Sequence, residues 1–291
     1  MSRIERALEK LRGREPAAAP VEHLAPAPQR PSPTVAPVVP HAYGGKAIGV
    51  DIDRLRGAGM LPPEAHERAI ADQYRVIKRV LLKNAAPHRD PAVDRGNLIM
   101  VTSALPAEGK TFTCINLCLS LARDGDWSVV LIDADCQKNH LSELFGVGGQ
   151  LGLTEWLKDT TLDFDALVMP TDVERLSVVS AGRRHQDSVE LLASSRMEAL
   201  CSRLASEDRR RLIVFDTSPL LATAEAAVLS SHVGQVVVVV GANATPQQSV
   251  ITALERLDQS KAINLILNNA IDDGASNYSY YEYGNPLTPD T

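Results

Sequence analysis

Three residues in a row, Gly109-Lys110-Thr111, carry the most direct chemical signal in this chain. An apolar segment of β type, Asn97-Leu98-Ile99-Met100-Val101, precedes them, and a long apolar segment follows from Phe112 to Ala122. A strand, a tight turn and a helix opening on Gly-Lys-Thr make a phosphate-binding loop. The backbone N–H groups of Ala107, Glu108 and Gly109 would face phosphate oxygens, and the helix N-terminus adds favourable partial positive charge. Lys110 would reach the β- and γ-phosphates, the Thr111 hydroxyl would ligate Mg²⁺, and Phe112 completes the expected nucleotide contacts. The position usually held by a first glycine is Ala104.

Such a loop needs acids beside it. The apolar run Val129-Val130-Leu131-Ile132 ends in Asp133-Ala134-Asp135, and Leu212-Ile213-Val214-Phe215 ends in Asp216. An aspartate closing an apolar strand sits at the carboxyl edge of its sheet, where such folds bind ligands. Mg²⁺ takes oxygen ligands and retains waters, so Asp216 suits it, together with Thr111 and Asp133. Asp133 and Asp135 are two apart and could divide metal contact and proton acceptance, with Asp133 the preferred base. Asn268 closes the last strand and could meet a base edge, or simply serve a turn.

The elements that must position these residues alternate. Strands are expected at 97–102, 128–132, 175–180, 211–215, 235–240 and 262–267, and helices at 111–123, 151–158, 194–206, 223–231 and 246–258. Runs such as Val236 to Val240 are apolar throughout, as in a strand covered on both faces. The expectation is an α/β fold: a mostly parallel sheet flanked by helices on both faces. A helix is also expected from Pro63 to Asn84. It carries Asp72, Arg75 and Lys78 on one connected face, which suits solvent or a neighbouring subunit.

Composition sets the outer limits. The chain has 291 residues, 44% hydrophobic and 23% charged, without the roughly 18–20-residue apolar run of a spanning helix. No apolar N-terminal core suggests a secretory signal, so the expected location is cytoplasmic. The four cysteines form no C-x-x-C pair and suit buried thiols in a reducing compartment. Residues 1–95 hold 16 Lys+Arg against 11 Asp+Glu, and residues 96–291 hold 14 against 25. The acidic larger part argues against nucleic-acid binding, while the basic N-terminal part suits an acidic partner or membrane surface.

Four segments are expected: an amphipathic helix at 1–12, a Pro/Ala-rich linker at 13–60, the phosphate-binding domain at 61–270 and a flexible tail at 271–291. The helix places Ile4, Ala7, Leu8 and Leu11 on one face. Eight of the 18 prolines lie between 13 and 40, which favours extended chain. Four of the six tyrosines, Tyr278, Tyr280, Tyr281 and Tyr283, crowd the tail. As phosphate acceptors, each would add about −1.5 to −2 charge, and subunits packed through the tail would then repel.

Taken together, these motifs resemble the bacterial tyrosine kinases of capsule and exopolysaccharide synthesis. The likeness is greatest to stand-alone autokinases of loci linked to exosortase/PEP-CTERM sorting. It rests on residues 2–11 (Ser-Arg-Ile-Glu-Arg-Ala-Leu-Glu-Lys-Leu), 74–79 (Tyr-Arg-Val-Ile-Lys-Arg), 108–111, 131–135, 189–194 (Val-Glu-Leu-Leu-Ala-Ser), 215–220 (Phe-Asp-Thr-Ser-Pro-Leu) and the tyrosine cluster. The resemblance implies ATP and Mg²⁺ as cofactors, Walker A roles for Lys110 and Thr111, a second acidic motif at Asp133 and Asp135, and Walker B at Asp216. It also implies a ring of subunits that phosphorylate one another's tails, with Asp72, Arg75 and Lys78 at the ring contact. The implied activator is a membrane-embedded polysaccharide co-polymerase, which would recruit the chain to the inner face of the plasma membrane, and a phosphotyrosine phosphatase could oppose it. Four positions depart from the family pattern. Gln137, with Lys138 beside it, replaces an arginine; Asp72 and Lys78 replace Glu and Arg; and Ala104 replaces glycine. Lysine lacks arginine's bidentate fork, which weakens the expected ring contact.

Two other functions share this architecture. A partition or division-site ATPase would carry a second lysine where Leu105 stands, and would lack the tyrosine cluster. A non-catalytic nucleotide-binding regulator of polysaccharide export would bind nucleotide without phosphotransfer, a reading supported by Gln137.

Overall fold

The structure, a computed structural model, describes residues 44–86 and 93–270. Among the described residues, seven strands form one sheet: β1 (Leu98–Ser103), β2 (Ser128–Asp133), β3 (Met169–Pro170), β4 (Leu176–Val179), β5 (Arg211–Asp216), β6 (Gln235–Gly241) and β7 (Ala262–Asn268). Their order is β3-β4-β2-β5-β1-β6-β7. Every pairing is parallel except the short β3–β4 contact, which is antiparallel.

The apolar strands sort their residues by alternation onto two cores. On one face Leu98, Met100, Val130, Ile132, Ile213, Phe215, Val236 and Val238 pack in one cluster. Their neighbours Ile99, Val101, Val129, Leu131, Leu212, Val214, Val237 and Val239 pack in the other. Both faces are therefore roofed by helices, which is why the strand sequences show no polar alternation.

The helices over the second cluster are α1 (Ile52–Gly57), α2 (Glu67–Ala85), α3 (Lys110–Ala122) and α4 (His140–Leu144). Those on the other face are α5 (Leu153–Lys158), α6 (Ser188–Leu192), α7 (Ser195–Glu207), α8 (Glu225–Ser230) and α9 (Gln247–Leu254). Local chemistry sets several starts: Asp51 accepts from Arg54 N (2.9 Å) at α1, Ser194 caps α7, and Pro246 precedes α9. All four cysteines are free and buried. Among the described residues, no helix is long and apolar enough to cross a membrane.

The domain reaches further toward the N-terminus than residue 61. Within the expected 13–60 linker, Gly44 N donates to Asp165 O (3.1 Å) and Ile48 N to Pro170 O (2.9 Å). Leu55 on α1 is buried to 1% exposure. Six helical residues give less than two turns of periodicity, so α1 left no clear sequence pattern; α4 and α6, of five residues each, were missed for the same reason. The helix expected from Pro63 to Asn84 begins as a 3₁₀ turn, Glu64–His66, before α2. The expected helix at 1–12, the prolines at 13–40 and the tail at 271–291 lie outside the described residues.

Asp72, Arg75 and Lys78 do not form one free face on α2. Asp72 and Arg75 are exposed and pair with each other. Lys78 instead folds inward, its ammonium on Asp124 (2.9 Å) and on the Ser120 carbonyl (3.2 Å).

Candidate active site

The loop between β1 and α3 turns through two left-handed residues, Ala107 (φ 66°) and Gly109 (φ 87°). Only glycine fits at 109: a Cβ there would stand 2.1 Å from Asn268 Nδ2. This amide, at the end of β7, donates to the Glu108 carbonyl (2.9 Å). Asn268 thus holds the loop backbone, and no base-edge role is needed to explain it.

The Glu108 carboxylate is also a structural brace. It accepts from Leu105 N (2.5 Å), from Gly241 N (3.3 Å) and from the Thr245 hydroxyl, tying the loop to the end of β6. Glu108 is only 5% exposed and its carboxylate is engaged, so it offers a ligand its backbone alone. Thr245 and Gly241 were not singled out in the sequence, because their role arises only where β6 ends beside β1.

Parallel pairing brings the acids together. Asp133 on β2 lies directly opposite Asp216 on β5, and β1 runs on the other side of β5. The Thr111 hydroxyl donates to Asp216 Oδ2 (2.9 Å). The Lys110 ammonium sits 3.3 Å from Asp135 Oδ2 and 3.8 Å from Asp216 Oδ1. Burial works to lower the Lys110 pKa, but Asp216 and Asp135 outweigh it and raise it, so the ammonium stays charged. Burial raises the pKa of Asp216, with Lys110 and Thr111 pulling the other way.

Asp133 and Asp135 stand in different surroundings. Asp133 is fully buried and already accepts three hydrogen bonds: Ser142 N (2.8 Å) and Ser142 Oγ (2.6 Å) on Oδ2, and Asp135 N (3.2 Å) on Oδ1. Burial, then the Asp216 charge, push its pKa up to about 7. Asp135 instead lines the cavity beside Lys110. The preference for Asp133 as base does not fit this geometry, since a base must first reach its proton.

The cavity has a volume of about 410 Å³ and is lined by the phosphate loop, Asp135, Lys138, His140, Met60 and Pro219. Phe112 also lines it. Met60 was missed because it falls in the stretch read as linker. Lys138 and His140 follow the second acidic motif, and no local pattern signals that both line the cavity. Gln137 does not line it. Its neighbour is Glu225, a buried carboxylate whose pKa burial raises, with Ser188 and Gln137 offsetting part of the rise.

The donor set suits a nucleotide with a hard cation. The loop presents backbone N–H groups at the start of a 13-residue helix, and Thr111 and Asp216 supply hard oxygen donors. Asp216 Oδ1 is buried without a hydrogen bond, leaving an oxygen free for a water on a cation.

The fold and this loop define a P-loop nucleotide-binding domain. Residues 99–270 match the family described as the CobQ/CobB/MinD/ParA nucleotide binding domain. Tyrosine-protein kinase YwqD of Bacillus subtilis is 31% identical over 215 residues, covering 72% of this chain and 86% of YwqD. Tyrosine-protein kinase wzc of Salmonella typhimurium is 31% identical over 193 residues, 65% of this chain. This chain matches only 26% of the length of wzc. The kinase domain of Escherichia coli tyrosine kinase ETK superposes with a TM-score of 0.62 at 27% identity, covering 73% of this chain and 80% of that one. The chain belongs to the bacterial tyrosine-protein kinases, within the CobQ/CobB/MinD/ParA nucleotide-binding family.

Proposed function

We propose that this chain is an ATP- and Mg²⁺-dependent protein-tyrosine autokinase that regulates exopolysaccharide synthesis or export. The observation that carries this reading is the convergence of Lys110, Thr111 and Asp135 on one cavity at the phosphate loop, with Asp216 behind them on Thr111 and Lys110. The printed names of YwqD, wzc and ETK support it, as does the concentration of tyrosines at 278–283.

Each residue has a defined task. The loop N–H groups and Lys110 bind the phosphates; Thr111 and Asp216 hold Mg²⁺, with Asp133 behind them. The bound cation supplies charge neutralisation at the transferring phosphoryl group. Lys110 leaves Asp135 for the phosphate, which frees Asp135 Oδ2 to accept the proton of an entering tyrosine hydroxyl. The phosphoryl group passes to that tyrosine oxygen and ADP leaves. Positioning and fixed charge carry the rate, as no covalent enzyme intermediate forms.

The acceptors in this proposal are Tyr278, Tyr280, Tyr281 and Tyr283 of neighbouring copies in a ring. Asp72 and Arg75 remain available to such a contact, whereas Lys78 would have to leave Asp124. Activation falls to a membrane-embedded polysaccharide co-polymerase, which places the chain at the inner face of the plasma membrane. A phosphotyrosine phosphatase resets the tail, and no nucleic acid takes part.

Intact mass and anti-phosphotyrosine signal after incubation with ATP and Mg²⁺ test this, with and without the activating segment. Wild type should gain phosphotyrosine, while Lys110→Met and the variant with all four tail tyrosines changed to Phe should not. Nucleotide binding or hydrolysis without phosphotyrosine in either condition would sink the kinase reading and leave an ATPase switch or a non-catalytic regulator.

A further inference from the structure

The cations that line the cavity are not equivalent. Lys110 is compensated twice over, by Asp135 at 3.3 Å and Asp216 at 3.8 Å. Asp133 adds a third carboxyl directly beside them in the sheet. Beyond a bound Mg²⁺, a polyanion in a site with this balance is held better by any further positive charge that faces it.

The turn after β2 supplies that charge. Lys138 N donates to Asp135 O (3.1 Å), and the Lys138 carbonyl accepts from Arg184 Nη2 (3.1 Å). The next residue, Asn139, is buried in the left-handed region (φ 52°), and its amide donates to the Gly182 carbonyl. The backbone is therefore held on both sides of Lys138. Its side chain is not: among the described residues the Lys138 ammonium makes no hydrogen bond or ion pair, although the residue lines the cavity. His140 joins it there, one residue beyond the turn. Lys138 is exposed, and its pinned backbone tethers an unpaired cation at the rim of a phosphate site, an arrangement that suits a ligand contact. A lysine whose only role is surface solvation needs no such anchoring.

We propose that Lys138 is a second phosphate-binding residue, which donates to the terminal phosphoryl oxygens from the turn after β2 while Lys110 acts from the phosphate loop. It adds to the nucleotide site on which the kinase reading rests, and assigns it the ability to tell a triphosphate from a diphosphate. Gln137 is not the residue that does this, since it stands against Glu225 outside the cavity.

The test compares binding of Mg²⁺–ADP and a Mg²⁺-bound non-hydrolysable ATP analogue to the full chain, by calorimetry, for wild type, Lys138→Met and Lys138→Arg. A charge-assisted hydrogen bond to the terminal group is lost in Lys138→Met, so the triphosphate should bind about tenfold more weakly, with ADP changed less than about twofold. Lys138→Arg keeps the charge and should restore the preference. Equal loss for both nucleotides, or no loss for either, would overturn the assignment. Autophosphorylation is read separately on the same protein preparations with ATP and Mg²⁺, with and without the activating segment. Wild type that prefers the triphosphate but makes no phosphotyrosine in either condition would refute the kinase reading and leave Lys138 standing.

Discussion

Ala107 holds a backbone angle, φ 66°, that suits glycine. A non-glycine residue in that region costs about 1–2 kcal/mol, of which glycine's extra unfolded-state entropy returns about 0.5–1. Ala107→Gly should therefore stabilise the protein by about 0.5–1 kcal/mol, seen as a rise in denaturant midpoint at unchanged slope. Asp133 gives a second prediction at this scale. Its carboxyl has a raised pKa in the fold, about 7 against 3.8, so the folded state binds the proton more tightly. Stability of the nucleotide-free protein is then highest below pH 3.8 as far as this group is concerned, and falls as pH rises toward about 7. Asp133→Asn should flatten that fall in a series of urea melts between pH 4 and 8. An unchanged slope would show that Asp133 is not the group responsible.

Elements place these residues, and two contacts between elements can be tested directly. The β7 end reaches the phosphate loop through one hydrogen bond, Asn268 Nδ2 to Glu108 O (2.9 Å). Asn268→Ala should leave the fold intact but loosen the loop, weakening nucleotide affinity by roughly fivefold for a bond worth about 1 kcal/mol. The second contact is α1, whose Leu55 is buried in the second core. Leu55→Ala should cost about 2–5 kcal/mol if α1 belongs to the domain, measured by chemical denaturation. A residue in an exposed linker would change stability by no more than about 0.5 kcal/mol.

At the scale of the whole molecule, the sheet carries the site as one rigid edge. β1, β2, β5 and β6 all end there, so a ligand bridging the loop and the strand ends stabilises the entire domain. At a hundredfold excess over its Kd, Mg²⁺–nucleotide should add about 2.7 kcal/mol, a rise in Tm of roughly 5–10 °C for a domain of this size. The rise should vanish in Lys110→Met, which scanning calorimetry would show.

Much of this was written locally in the chain. Short apolar runs, two of them ending in an aspartate and one leading into the loop that carries Gly-Lys-Thr, determine both the parallel sheet and the edge where chemistry sits, because a strand covered on both faces needs no polar alternation and ends where polarity returns. Lys110, Thr111, Asp135 and Asp216 were legible for that reason. Other features depended on partners distant in sequence. Glu108 meets Thr245, Asn268 meets Glu108 and Ser142 occupies Asp133, each joining residues that only the strand order brings together. Lys78 finds Asp124 across a helix pair, which no spacing within α2 encodes. Short α1 lacks the two turns that would show a periodicity, and Lys138 reaches the cavity through a left-handed Asn139 that any turn could have contained. The sequence by itself determined which residues could bind phosphate; tertiary packing decided which side chains were left free to do so, because buried polar groups first satisfy one another.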